Sequence, residues 1–92
     1  MTYNLIISAS FKKSYAKLPK NIQLRIDSII LKLKNKLLGA ELKGKLKDFY
    51  SIHFEGNQYR LIYKKEKSEI QLLILYVGKR KERFYKDLGK KI

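Results

Sequence analysis

The sequence predicts an α+β fold of order β-α-α-β-β-β, with a helical hairpin packed on one face of an antiparallel sheet. Three observations predict it. Apolar residues recur with a period near 3.6 between Phe11 and Leu38 and with a period of 2 from Tyr50 onward. Pro19 divides the helical part in two, and Gly56-Asn57 divides the first two of the later strands. The helices carry apolar faces that need a sheet to cover them.

Residues 1–8 read as the first strand, with Tyr3, Leu5 and Ile7 alternating against Asn4, Ile6 and Ser8. Ser8 or Ser10 then caps a helix, since a short side-chain oxygen accepts an orphan N–H of the first turn. Phe11, Tyr15 and Leu18 share one face of that helix, and Lys12, Lys13 and Lys17 fall elsewhere. Pro19 ends it and suits the first turn of the next. Ile22, Ile26, Ile29, Ile30, Leu33 and Leu37 form an apolar stripe on a long second helix, widened by Leu24, Leu31 and Leu38, with Gly39 as its C-cap.

A basic connector over Glu41–Asp48 leads to the strands. Tyr50, Ile52 and Phe54 alternate with Ser51, His53 and Glu55, and Tyr59, Leu61 and Tyr63 resume the pattern after a turn with glycine first, as type II′ requires. Ile70, Leu72, Ile74 and Tyr76 make one side of the last strand, and Leu73, Leu75 and Val77 the other. Apolar on both sides, this strand is expected to be central or covered from outside. Gly78 ends it, and Lys79–Lys91 is a basic tail read as a short helix with Phe84 and Leu88 at i, i+4. Tyr50, Ile52, Phe54, Leu61, Tyr63, Leu72 and Ile74 are expected to lie under the hairpin.

At 92 residues the chain fits one domain, 1–92. A domain of this size buries only about 60% of its unfolded surface, so a partner would help to stabilise it. The absence of cysteine excludes disulfides, thiolate zinc sites and cysteine nucleophiles, and one histidine with eight carboxylates leaves little for a metal cage. A net charge of +14 calls for an anionic partner, nucleic-acid phosphate first, then an acidic protein or a membrane surface. Eighteen lysines against four arginines reflect codon bias in part, so the arginines are the more informative cations. The apolar runs fall far short of a membrane span, no export signal is evident, and the expected compartment is the cytoplasm.

The turn sets a register: Phe54 meets Tyr59, His53 meets Arg60, Ile52 meets Leu61 and Ser51 meets Ile62. A proton-transfer group then lies beside a guanidinium on the face away from the helices, about 5 Å apart at their β-carbons. Both can equally be ordinary solvent-face residues. The second basic cluster holds Lys79, Arg80, Lys81, Arg83 and Lys86 with Phe84 and Tyr85 interleaved. Guanidiniums bind phosphate and aromatic rings stack on unpaired bases, as a single-stranded RNA site requires. The same segment also reads as a solvated tail whose rings pack on the sheet.

Leu42-Lys43-Gly44, Tyr59-Arg60-Leu61-Ile62-Tyr63 and Val77-Gly78-Lys79-Arg80 followed by Tyr85 together resemble the RelE/ParE superfamily of toxins, in its RelE-like messenger RNA interferase branch. The opening strand and Phe11-Lys12-Lys13 through Leu18-Pro19 fit as well, so the resemblance covers nearly the whole chain. It implies the toxin of a type II toxin–antitoxin system: a ribosome-dependent endoribonuclease that cuts translated messenger without metal or cofactor. The ribose 2′-OH attacks the adjacent phosphate and leaves a 2′,3′-cyclic phosphate and a 5′-OH. The implied partners are a cognate acidic antitoxin, the ribosome and messenger RNA, with operator DNA reached through the antitoxin and no membrane.

By position in the family pattern, Arg60 implies the cation on the scissile phosphate, Arg80 a transition-state stabiliser, and Tyr85 the ring that stacks on or orients the nucleotide. Lys43, Lys45, Lys79, Lys81 and Arg83 are implied RNA contacts. Where relatives often carry basic residues on the second sheet strand, this chain has Ser51 and His53. His53 is the candidate general base, kept neutral by the neighbouring cation. Glu41, also readable as a loop carboxylate, or a lysine are the alternatives. Two other functions share the fold: a ParE-like inhibitor that binds DNA gyrase, and a non-catalytic basic RNA-binding module.

Overall fold

The computed structural model describes residues 3–42, 44, 48–66 and 71–79. In chain order the elements are β1 (Asn4–Ile7), α1 (Ala9–Ala16), α2 (Lys20–Leu33), β2 (Ala40–Glu41), β3 (Phe49–Phe54), β4 (Tyr59–Lys65) and β5 (Gln71–Lys79). The class is α+β, with both helices on one face of a five-stranded sheet of order β1-β5-β4-β3-β2. The antiparallel run β3–β4–β5 is the one the sequence predicts. Two additions complete the sheet. β1 joins β5 in parallel, Leu5 opposite Leu72 and Ile7 opposite Ile74, so the sheet is mixed. The connector contributes a two-residue strand, β2, paired to β3.

Phe11, Ile22, Ile26 and Leu33 pack against Ile52, Phe54, Leu61, Tyr63, Leu72 and Ile74, which confirms the core that the periodicity marks out. The helical expectations need three corrections. Pro19 is the N-cap of α2 rather than a first-turn residue. Leu24 and Leu31 are 58% and 62% exposed and do not widen the buried stripe. The helix stops at Leu33 because long-range bonds capture the chain beyond it. Tyr3 N–H donates to Lys34 C=O (2.6 Å), and the Tyr63 hydroxyl both donates to Leu38 C=O (2.6 Å) and accepts from Leu38 N–H (3.0 Å). Gly39 is therefore no C-cap. It has φ +82°, and a Cβ there would fall 2.3 Å from the Ser51 carbonyl oxygen, so only glycine lets the chain run this close to β3.

The β3–β4 register is the expected one, Phe54↔Tyr59 and His53↔Arg60 included. Its turn differs in type: Gly56 and Asn57 have φ of 60° and 70°, and a positive φ at both central residues marks type I′ rather than II′. Asparagine tolerates the left-handed region, which makes this possible.

A β-bulge changes the last strand. Ile62 pairs with Tyr76 but Tyr63 pairs with Ile74, leaving Leu75 as the extra residue. Beyond the bulge the alternation is inverted: Val77 joins the helix-side core, and Tyr76 joins Ile62, Leu75, Leu73 and Phe49 on the open face, the reverse of the periodic expectation. Two serines of the β1–α1 region accommodate it. Ser8, which caps α1 by accepting from Phe11 N–H (3.0 Å), donates its hydroxyl to Leu75 C=O (3.1 Å). Ser14 accepts from Val77 N–H (3.2 Å). The backbone groups on either side of the irregularity thus find partners on the helix side.

Candidate functional site

The bulge and the hairpin register place three residues in one row across the open face. His53 on β3 faces Arg60 on β4, and Arg60 faces Gly78 on β5. Arg60 is only 6% exposed, whereas His53 is exposed. Burying a cation to this degree costs desolvation free energy that packing alone would not call for. Guanidinium Nη1 contacts His53 Nε2. An arginine has donors only, so Nε2 accepts and the ring proton sits on Nδ1. The other flank of Arg60 is aromatic. A Cβ on Gly78 would come within 3.1 Å of Tyr76 Cε2 and 3.3 Å of its hydroxyl, so the Tyr76 ring reaches along β5 over the glycine.

Among the described residues the rest of this face is mostly apolar, with Lys64 as a second cation. Ser51, Ile62 and Tyr76 form the next row, and Phe49, Lys64 and Leu73 the one beyond, with Lys64 Nζ 5.5 Å from the Phe49 ring centroid. Leu73 and Leu75 lie on this face as expected, and Leu75 is buried there.

Glu41 is not brought to the site. It pairs with Tyr50, a helix-side residue that stacks on Tyr63, so its carboxylate starts from the opposite face. There it accepts from Asp48 N–H (3.1 Å). The sheet therefore separates this alternative base from Arg60. Lys79 is exposed but pairs with the helix-side Tyr59, so it too projects from the other face. Lys43, Lys45, Arg80, Lys81, Arg83 and Tyr85 lie outside the described residues, as do Phe84, Leu88 and the rest of the expected tail helix, whose first residue, Lys79, instead ends β5 beyond Gly78. Tyr76 is the residue that sequence periodicity missed, because an uninterrupted alternation assigns it to the core. The usable signal was Gly78, two residues on and on the same face.

A family model described as the ParE toxin of type II toxin–antitoxin systems, parDE, matches residues 5–84. The chain belongs to the ParE toxin family. It is thus a toxin of a type II toxin–antitoxin system, within the RelE/ParE superfamily to which its motifs point. Curated proteins include no match by sequence. Among solved structures, the ParE-family chain resembles a double arginine-to-alanine variant of E. coli RelE in the free state, with a TM-score of 0.79, 22% identity, and 100% of this chain and 99% of that one covered. The Mycobacterium tuberculosis RelBE2 toxin–antitoxin complex matches with a TM-score of 0.76 at 23% identity, covering 87% of this chain and 100% of that one. A YoeB/ParE toxin from Agrobacterium tumefaciens matches with a TM-score of 0.70 at 19% identity, over 85% and 99%. At such identities the likeness is one of fold. Among the described residues no helix is long and apolar enough to cross a membrane.

Proposed function

We propose that this toxin is a ribosome-dependent endoribonuclease that cleaves translated messenger RNA in the cytoplasm by metal-independent attack of a ribose 2′-OH on the adjacent phosphate. The observation that carries this reading is the buried Arg60 guanidinium held beside His53 on the open face. A fixed cation there stabilises charge developing on a phosphorane, and the imidazole is a proton acceptor within its reach.

In the free protein Arg60 occupies the His53 Nε2 lone pair. A scissile phosphate is a stronger acceptor, and drawing the guanidinium onto it releases Nε2. The 2′-OH proton then passes to Nε2 as the 2′-oxygen–phosphorus bond forms. The bond to the 5′-oxygen breaks, that oxygen takes up a proton from solvent water, and a 2′,3′-cyclic phosphate and a 5′-OH result. Arg80 and Tyr85 are assigned transition-state stabilisation and nucleotide orientation, and Lys43, Lys45, Lys79, Lys81 and Arg83 attraction to ribosomal RNA. The +14 charge fits that role and a cognate acidic antitoxin. RelE and RelB, named together in solved complexes, are the precedent for such a partner. Operator DNA would be reached through that antitoxin.

The ParE description of the matching family favours a second reading, inhibition of DNA gyrase by binding alone. Expression without antitoxin should arrest growth under either reading, and co-expression of the antitoxin should reverse it. Primer extension on translated messenger, run beside a gyrase supercoiling assay, separates them. Cuts inside codons support the ribonuclease; stalled supercoiling with intact messenger supports the gyrase inhibitor and overturns it.

A further inference from the structure

We propose that Tyr76 is a base-stacking wall of the RNA site, holding the unpaired nucleobase next to the phosphate bound by Arg60. The inference rests on the ribonuclease reading and adds a contact that neither the motifs nor the family match assigns. Its basis is the bulge at Leu75, which turns Tyr76 out of the core and onto the open face. Gly78, lacking a side chain, gives the ring its place: a Cβ there would meet Cε2 at 3.1 Å and the hydroxyl at 3.3 Å. Gly78 is also the ladder partner of Arg60. The ring therefore lies one strand spacing, about 5 Å, from the strand that carries the cation. That is the order of separation between a nucleotide's base and its own phosphate.

The ring is half-buried, its inner part against Ile62 and Leu75. It is thus pre-fixed, and an aromatic surface already ordered loses little entropy when a base stacks on it. Flanked by His53 on one side and Tyr76 on the other, Arg60 joins the polar and aromatic parts of one nucleotide site. Stacking tolerates any base, so Tyr76 sets affinity and position rather than sequence.

The test is binding of a short single-stranded RNA to the full chain, read by fluorescence anisotropy and by NMR of labelled tyrosine rings. The same RNA with one abasic position is the matched probe. The Tyr76 ring signals should move upfield with intact RNA. Tyr76→Ala should weaken binding by about 5- to 150-fold, the range of a single base stack. Tyr76→Phe should bind as wild type does. Gly78→Ala, whose Cβ displaces the ring, should weaken binding too, but add nothing once Tyr76 is alanine. On the abasic RNA the Tyr76→Ala loss should vanish, which a purely structural role would not produce.

An equal loss on both RNAs overturns the proposal. So does an Arg60 amide that responds to RNA while the Tyr76 ring does not, and so does silence from both. Binding is read without cleavage. RNA held by Tyr76 but left intact on ribosomes would therefore count against the ribonuclease reading and not against this contact.

Discussion

The Arg60 guanidinium donates to Nε2 of His53, so the chain's one histidine is held with its proton on Nδ1 and its Nε2 lone pair occupied. A general base that is masked until phosphate arrives follows from this contact. Because there is one imidazole, its nitrogen resonances can be read without ambiguity. At mildly alkaline pH they should show the Nδ1–H tautomer with a hydrogen-bonded Nε2, and Arg60→Met should lose the hydrogen bond. An Nε2–H tautomer in the wild type would exclude the arrangement.

Removal of the imidazole should show in the reaction itself. Single-turnover cleavage by His53→Gln on programmed ribosomes should fall by roughly 10²–10⁴, the usual share of general base catalysis. The neutral ring is the active form, so wild-type activity should decline as pH falls and the ring takes up a proton. That acidic limb should be missing from the variant. Cleavage within a few-fold of wild type at every pH would remove His53 from the mechanism.

Arg60 should separate stability from activity. A buried cation replaced by an apolar side chain of similar length is often neutral or stabilising, so Arg60→Met should unfold at the wild-type denaturant midpoint or above it. Arg60→Ala leaves a void and should be less stable by about 1–3 kcal/mol. Urea unfolding of the two variants checks both. Truncation at this residue is therefore not structurally silent, unlike truncation of a surface arginine.

The bulge should depend on its serines. Ser14→Ala strips the acceptor from Val77 N–H and should cost about 1 kcal/mol, with faster hydrogen exchange at the Val77 amide. Ser8→Ala removes both an N-cap and the donor to Leu75 C=O, and should cost about 1–2 kcal/mol. Unchanged exchange at Val77 in Ser14→Ala would show that the bulge holds without it.

Much of this fold was legible because the hairpin register follows from one turn: with Gly56-Asn57 at the bend, His53 has to meet Arg60. Alternation also picked out the sheet residues under the helices, Ile52 to Ile74. What escaped depends on groups far apart in sequence. Ser14 meets the Val77 amide across 63 positions, and no period of 2 or 3.6 registers that bond. The bulge it supports moves Tyr76 and Val77 to each other's face. Gly39 and the early end of α2 escaped for the same reason, since the backbone of β3, the hydroxyl of Tyr63 and the N–H of Tyr3 decide them.

Tyr63 should impose an alkaline limit. Burial pushes its phenol up to about 12, against the opposing effect of the Leu38 hydrogen bond. The folded state thus favours the neutral phenol. Its contribution is complete below pH 10 and is lost, at about 1.4 kcal/mol per pH unit, as pH rises from 10 through 12. Tyr63→Phe should be less stable at neutral pH, since it leaves the Leu38 groups unpaired, and should show a flatter alkaline profile. Unfolding midpoints measured across that range would reveal either behaviour.

Single-turnover cleavage of messenger on programmed ribosomes, comparing the wild type with the folded Arg60→Met variant, bears most directly on the ribonuclease reading. The wild type should cut inside codons and leave a 2′,3′-cyclic phosphate, and Arg60→Met should be slower by roughly 10²–10³ with its fold retained. Wild-type protein that leaves the messenger intact, or an Arg60→Met variant that cuts it at the wild-type rate, would contradict it.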